Sequence, residues 1–177
     1  DMRAFDDTGA VRWTTVKTPI FVETTIDTPG DYTGDLSELE QMEAAGVHTE
    51  HVAVLEDVRS GNAIIQNDKE GDNCIILYGG ANQAITREQA DSVIGSFAPG
   101  DYIVLQNEIN ELAYIMKKAH ERGMKVILNP SPMDEKIKTL PLEYVDFFLL
   151  NEVEAGQILE TEETEGEILA DRLLERF

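Results

Sequence analysis

The sequence predicts an α/β fold, a parallel sheet with helices on both faces, and three observations predict it. From residue 101 onward, short apolar runs alternate with amphipathic helical segments through short connections, the pattern of a helix-covered parallel sheet. Upstream, two apolar runs flank a glycine-containing turn and read as a small β hairpin. The composition is that of a globular chain: 177 residues, 42% hydrophobic and 28% charged, enough for about one domain with its own core.

The elements follow in order. Residues 1–30 form a β-rich segment set apart from the rest, with strand-like Val11–Val16 and Ile20–Ile26, rich in threonine and β-branched residues. Asp27-Thr-Pro-Gly30 reads as a turn. Asp35–Ala45 reads as a short helix, with Leu36, Leu39 and Met42 at three-residue spacing and Gly46 as its C-terminal cap. Asn62–Asn67 and Cys74–Tyr78 are the hairpin strands, joined by Asp68-Lys-Glu-Gly-Asp72. Thr86-Arg-Glu-Gln89 has the form of a capping box and opens a helix to about Ser96.

The sheet strands are Tyr102–Leu105, Lys125–Leu128 and Val145–Leu150. Between the first two lies a helix whose apolar face is Leu112, Ile115, Met116 and Ala119, capped by Asn110 and closed by Gly123. Asp134–Lys138 reads as a short helical stretch, and two further helices follow Leu150, the second from about Glu165. An amphipathic helix at the end lacks the strand that would bury it, so the chain is expected to be part of a longer protein.

Charge and motifs exclude several functions. Fourteen basic against 35 acidic residues give a net charge of −21, and a surface of that sign repels nucleic acid and anionic membrane. No apolar run approaches the ~20 residues that cross a bilayer. Cys74 is the only cysteine, so neither an internal disulfide nor a cysteine zinc site exists, and a cytoplasmic location is expected. There is no G-x-x-x-x-G-K-[ST] loop and no G-x-G-x-x-G after a strand. Asp68, Glu70 and Asp72 fail the calcium-loop spacing, and His48, His51 and His120 have no metal-binding frame. Ser131 has no nucleophile elbow around it.

What remains is the set of strand ends, where parallel sheets bind ligands. Glu108 follows an apolar strand directly, where a carboxylate can accept hydrogen bonds from a polyol. Asn151 and Glu154 share one side of a first helical turn. Two readings stand for this pair: N-cap and capping-box partner, or holders of a magnesium water shell beside nucleotide phosphates; the two can coexist.

Five landmarks in order, Gly46-Val-His-Thr-Glu-His-Val52, Gly79-Gly-Ala-Asn82, Val104-Leu-Gln-Asn-Glu108, Lys125-Val-Ile-Leu-Asn-Pro-Ser-Pro132 and Leu150-Asn-Glu-Val-Glu154, resemble those of the ribokinase family of phosphofructokinase B type sugar kinases. The resemblance covers residues 31–177 and implies the central part of a Rossmann-like, ribokinase-like α/β domain, incomplete at both ends, with residues 62–78 as part of a small β lid. It implies transfer of the ATP γ-phosphate to a pentose hydroxyl, D-ribose giving ribose 5-phosphate, with magnesium and potassium. A nucleoside or hexose kinase and a non-catalytic sugar- or nucleotide-binding domain are the alternatives. The partners implied are a small-molecule sugar, ATP and a second copy meeting through the lid.

By the same resemblance Glu108 binds the sugar, Asn151 serves the nucleotide and Glu154 the metal environment. The family's amino-terminal strand with its sugar-binding Asn and Asp, its G-G-K-G-A-N segment and its carboxyl-terminal G-A-G-D motif with the catalytic aspartate are absent. Asp27-Thr-Pro-Gly-Asp31 resembles that last motif shortened by two residues, at the wrong end of the chain, so no catalytic base is assigned. Exposed sheet edges predict an association-prone chain.

Overall fold

A computed structural model of the protein describes residues 4–5, 11–12, 38–55, 57–67 and 73–177. Ala4–Phe5 (β1) pairs antiparallel with Val11–Arg12 (β2). The rest of the first expected strand, the second, the Asp27–Gly30 turn, Asp31, Leu36 and the Asp68–Asp72 turn lie outside the described residues. Glu38–Ala44 is helical (α1) and ends where Gly46 takes a φ of +81°. Asn62–Asn67 (β3) and Asn73–Tyr78 (β4) form the expected hairpin, paired from Asn62↔Tyr78 to Asn67↔Asn73.

The hairpin leaves through a 3-10 turn, Gly80–Gln83, that crosses its own entry. Ala81 N–H donates to Arg59 O at 2.9 Å. A Cβ on Gly80 would lie 2.4 Å from that oxygen, and its φ is +47°, so only glycine fits the crossing. Arg87–Gly95 (α2) follows, with Thr86 Oγ1 accepting the Gln89 N–H at 3.1 Å as the expected N-cap.

The central sheet holds Tyr102–Gln106 (β5), Lys125–Asn129 (β6) and Phe147–Phe148 (β7), parallel and in chain order. The register Ile103↔Val126, Leu105↔Leu128 and Leu128↔Phe148 puts these side chains on one face, where Ile103, Leu105, Val126 and Leu128 are fully or almost fully buried. Leu112–Arg122 (α3) supplies Leu112, Ile115, Met116 and Ala119 to the same core, all buried as their spacing predicts. Each large side chain withdrawn from water here stabilises the fold by about 2 kcal/mol before chain entropy is set against it. Gly123 closes α3 at a φ of +80°.

Beyond β7 come Glu152–Leu159 (α4) and Gly166–Arg176 (α5), which pack on each other and add Ala155, Ile158, Leu169 and Leu173 to the core. The opposite sheet face carries Tyr102 and Phe147, both partly exposed, with ring centroids 6.3 Å apart. Among the described residues no helix is long and apolar enough to cross a membrane.

Three expectations need correction. Asn110 does not cap α3: the N-cap position is Glu111, left-handed at φ +56° and without a side-chain cap, because the Asn110 side chain is committed to Ile85. The stretch 134–138 is not a helix of its own. Asp134 Oδ1 accepts the Lys136 N–H, and a 3-10 turn forms only at Ile137–Thr139. The third strand shortens from Val145–Leu150 to Phe147–Phe148, preceded by a further 3-10 turn at Leu142–Tyr144.

Candidate active site

The carboxyl ends of β5, β6 and β7 lie on one edge of the sheet, with Gln106 level with Asn129. Glu108 leaves β5 into a cleft of about 310 Å³. The hairpin contributes Asn62, Leu77 and Tyr78 to its wall, and the strand-end loops contribute Asn107, Asp134 and Lys136. The cleft is therefore walled on one side by β3 and β4 and on the other by the loops after the strands, with the carboxylates Glu108 and Asp134, several side-chain amides and Lys136 among its lining residues.

The Glu108 loop is held from two directions. On the hairpin side, Gln83 Nε2 donates to Glu108 O at 2.6 Å and Asn110 N–H donates to Asn82 O at 3.0 Å. The Asn110 side chain accepts the Ile85 N–H at 3.0 Å and donates to Ile85 O at 2.8 Å. On the other side, Asn107 N–H donates to Ser131 O at 3.2 Å. Asn107 Nδ2 donates to Pro132 O at 2.7 Å and to Asp134 Oδ1 at 3.2 Å. A loop pinned this way presents Glu108 with little entropy left to lose on binding.

Asn151 and Glu154 open α4 as a complete capping box. Asn151 Oδ1 accepts the Glu154 N–H at 2.9 Å, and Glu154 Oε2 accepts the Asn151 N–H at 3.0 Å. Glu154 Oε1 accepts the Ser131 hydroxyl. The capping reading of the pair is thus the geometry observed, and it leaves the metal and nucleotide readings open beside it. The donor set fits a hydrated magnesium. It offers hard oxygens only, and a carboxylate has about four lone-pair positions, of which Ser131 and Asn151 take two. Among the described residues no three His, Cys, Asp or Glu side chains converge to cage a metal. A cation here would be held chiefly by water and phosphate oxygens, as magnesium commonly is.

Glu154 is not among the residues that line the cleft holding Glu108. The two are joined through the 131–134 loop, which touches Asn107 on one side and Glu154 on the other. Sequence reasoning gave no role to Gln83, Asn107, Asp134 or Lys136, and placed Ser131 in a polar strand end without a role beyond the nucleophile it set aside. The usable signal was the polarity of Asn129-Pro-Ser-Pro132 at a strand end. The histidines lie elsewhere: His51 Nε2 meets Ser96 Oγ at 3.0 Å, His48 Nδ1 is 3.6 Å from a Glu50 carboxylate oxygen, and His120 stacks on Tyr144.

Comparison with known proteins gives the same direction. The family model described as pfkB family carbohydrate kinase matches residues 31–175. The chain is 37% identical over 117 residues to the bifunctional ribokinase/ribose-5-phosphate isomerase A of Fructilactobacillus sanfranciscensis, over 65% of this chain and 22% of that protein. It is 33% identical over 134 residues to the ribokinase of Bacillus subtilis, over 75% of this chain and 45% of that one. The solved structure of Arabidopsis thaliana ribokinase complexed with ribose and ATP aligns at a TM-score of 0.56 and 25% identity, covering 73% of this chain and 44% of that chain. The chain spans less than half the length of each of these relatives. With the match running through the hairpin, the three strand ends and the α4 capping box, the chain belongs to the pfkB family of carbohydrate kinases.

Proposed function

We propose that the protein is an ATP-dependent kinase of a pentose, D-ribose by preference, forming ribose 5-phosphate. The observation that carries this reading is Glu108, set in the cleft beneath the β3–β4 hairpin and linked by the 131–134 loop to the Asn151–Glu154 pair. The ribokinase names of the relatives support ribose.

Glu108 accepts hydrogen bonds from sugar hydroxyls and fixes the ring, and charge-assisted bonds of this kind are roughly twice as strong as neutral ones. The hairpin covers the sugar and keeps water, the competing phosphoryl acceptor, out of the cleft. Asn151 and the first turn of α4 orient the nucleotide phosphates, with the helix N-terminus favouring negative charge. Glu154 holds a water of the magnesium shell, and the cation would neutralise charge building on the phosphates. Potassium enters from the family resemblance, and a cytoplasmic setting from the single cysteine. Pairing of hairpins between two copies draws support from the exposed cross-strand pair Ile64 and Ile76.

The test is ADP release by the full-length protein with magnesium and potassium, across ribose, adenosine, fructose and a blank without sugar. Release with ribose alone is the expected result. Glu108→Ala should weaken ribose binding by about ten-fold or more. Glu154→Gln should lower turnover by about a hundred-fold with ribose binding intact. Sugar binding without release from any substrate would overturn the kinase reading in favour of a binding domain.

A further inference from the structure

Ser131 stands between the two halves of the site and bonds toward both. Its carbonyl accepts the N–H of Asn107, the residue before Glu108, and its own N–H donates to Asn129 Oδ1 at 3.0 Å. Its hydroxyl donates to Glu154 Oε1, while the Asn151 N–H holds Oε2 of the same carboxylate. A capping box alone ties one carboxylate oxygen, and the terminal torsion of glutamate is broad and nearly two-fold. A second donor, brought from a different loop and anchored by backbone on both sides, fixes the plane of the carboxylate. It also fixes which lone pairs remain open.

We infer that Ser131 is a positioning residue for Glu154, orienting its carboxylate so that the open lone pairs face a hydrated magnesium–nucleotide. This rests on the kinase reading. Ser131 acts through Glu154 and does not touch the sugar or the phosphates. The position therefore requires a hydroxyl and not merely a small side chain, and alanine would leave Glu154 Oε1 without its donor.

The experiment is calorimetric titration of this chain with ADP, with and without magnesium, for the wild type, Ser131→Ala, Ser131→Thr and Glu154→Gln, alongside circular dichroism melts. Expected is a loss of about ten-fold in magnesium-ADP affinity for Ser131→Ala, a charge-assisted hydrogen bond's worth. A higher magnesium concentration should be needed for half-saturation, and affinity for ADP alone should not change. Ser131→Thr should restore binding to within about three-fold of the wild type. Wild-type magnesium-ADP affinity in Ser131→Ala together with loss in Glu154→Gln would overturn the inference and leave the kinase reading standing. Failure of the threonine variant to rescue, with a native melt, would overturn it too. No magnesium-ADP binding by the wild type would overturn the kinase reading beneath both.

Discussion

Cutting the side-chain amide from Asn110 would strand both the N–H and the carbonyl of Ile85, a residue only 8% exposed. Buried polar groups without partners cost about 1–3 kcal/mol, so Asn110→Ala should lower the urea midpoint by that much stability, and Asn110→Asp, which keeps the acceptor, by less. A change under about 0.5 kcal/mol would show that the Ile85 bonds do not matter. The sequence suggested a different job for Asn110, because asparagine before an apolar helical run is the ordinary signature of an N-cap. Its true partner lies 25 positions away, beyond the reach of local spacing. The places of Glu108 and Glu154 in the fold, by contrast, were legible: Glu108 lies two residues past the apolar strand β5, and Glu154 in the first turn of the helix after β7. Ser131 was visible as a residue, but its hydrogen bond to Glu154 crosses 23 positions and has no sequence signature.

At the scale of elements, β6 and β7 are held together by one carboxylate as much as by their short ladder. Asp146 accepts the Val126 N–H at 2.9 Å and pairs with the Lys125 ammonium. Burial alone would push its carboxyl up, but the Lys125 hydrogen bond, the Val126 N–H and the Lys125 charge together outweigh burial and hold it below the usual carboxylate range. A lowered folded value means that the stabilisation is complete above the unfolded pKa of about 4 and is lost as pH falls through the lower folded value. Thermal melts between pH 6 and pH 2 should therefore show a steeper acid decline for the wild type than for Asp146→Asn. Parallel curves for the two would deny Asp146 this role. The decline left in the variant would include Glu163, whose carboxylate accepts the Glu165 and Thr164 N–H groups and is likewise held low. This arrangement also explains why the third strand came out shorter than its apolar run: Asp146 gives its side chain to Val126 and Lys125, and the ladder starts after it. Helices fared better because α3 carries both the right period and a glycine stop. The stretch at 134–138 carries neither, and Asp134 turns its carboxylate to local N–H groups and Asn107.

For the whole molecule, the described residues leave the outer edges of β5 and β7 without strand partners. A groove of about 810 Å³ runs along β7 and α5 past Phe147, Leu173 and Phe177, and Leu174 is 81% exposed beside it. Apolar grooves and bare edges drive association. The chain should therefore elute from size exclusion earlier as its concentration rises, and Leu174→Lys combined with Phe147→Thr should reduce the shift. A sharp monomer peak at every concentration, with cooperative unfolding, would contradict this. The fold class itself was legible, because alternating strand and helix patterns admit few arrangements. Which helix meets which neighbour was not, since packing partners are chosen by shape across the core. The in-line strand order has a consequence for how the sheet comes into being. Each strand pairs with the one made just before it, Tyr102 with Lys125 and then Ile127 with Phe147. Ring closures stay short at every step, and the chain can add these three strands one crossover at a time as it leaves the ribosome.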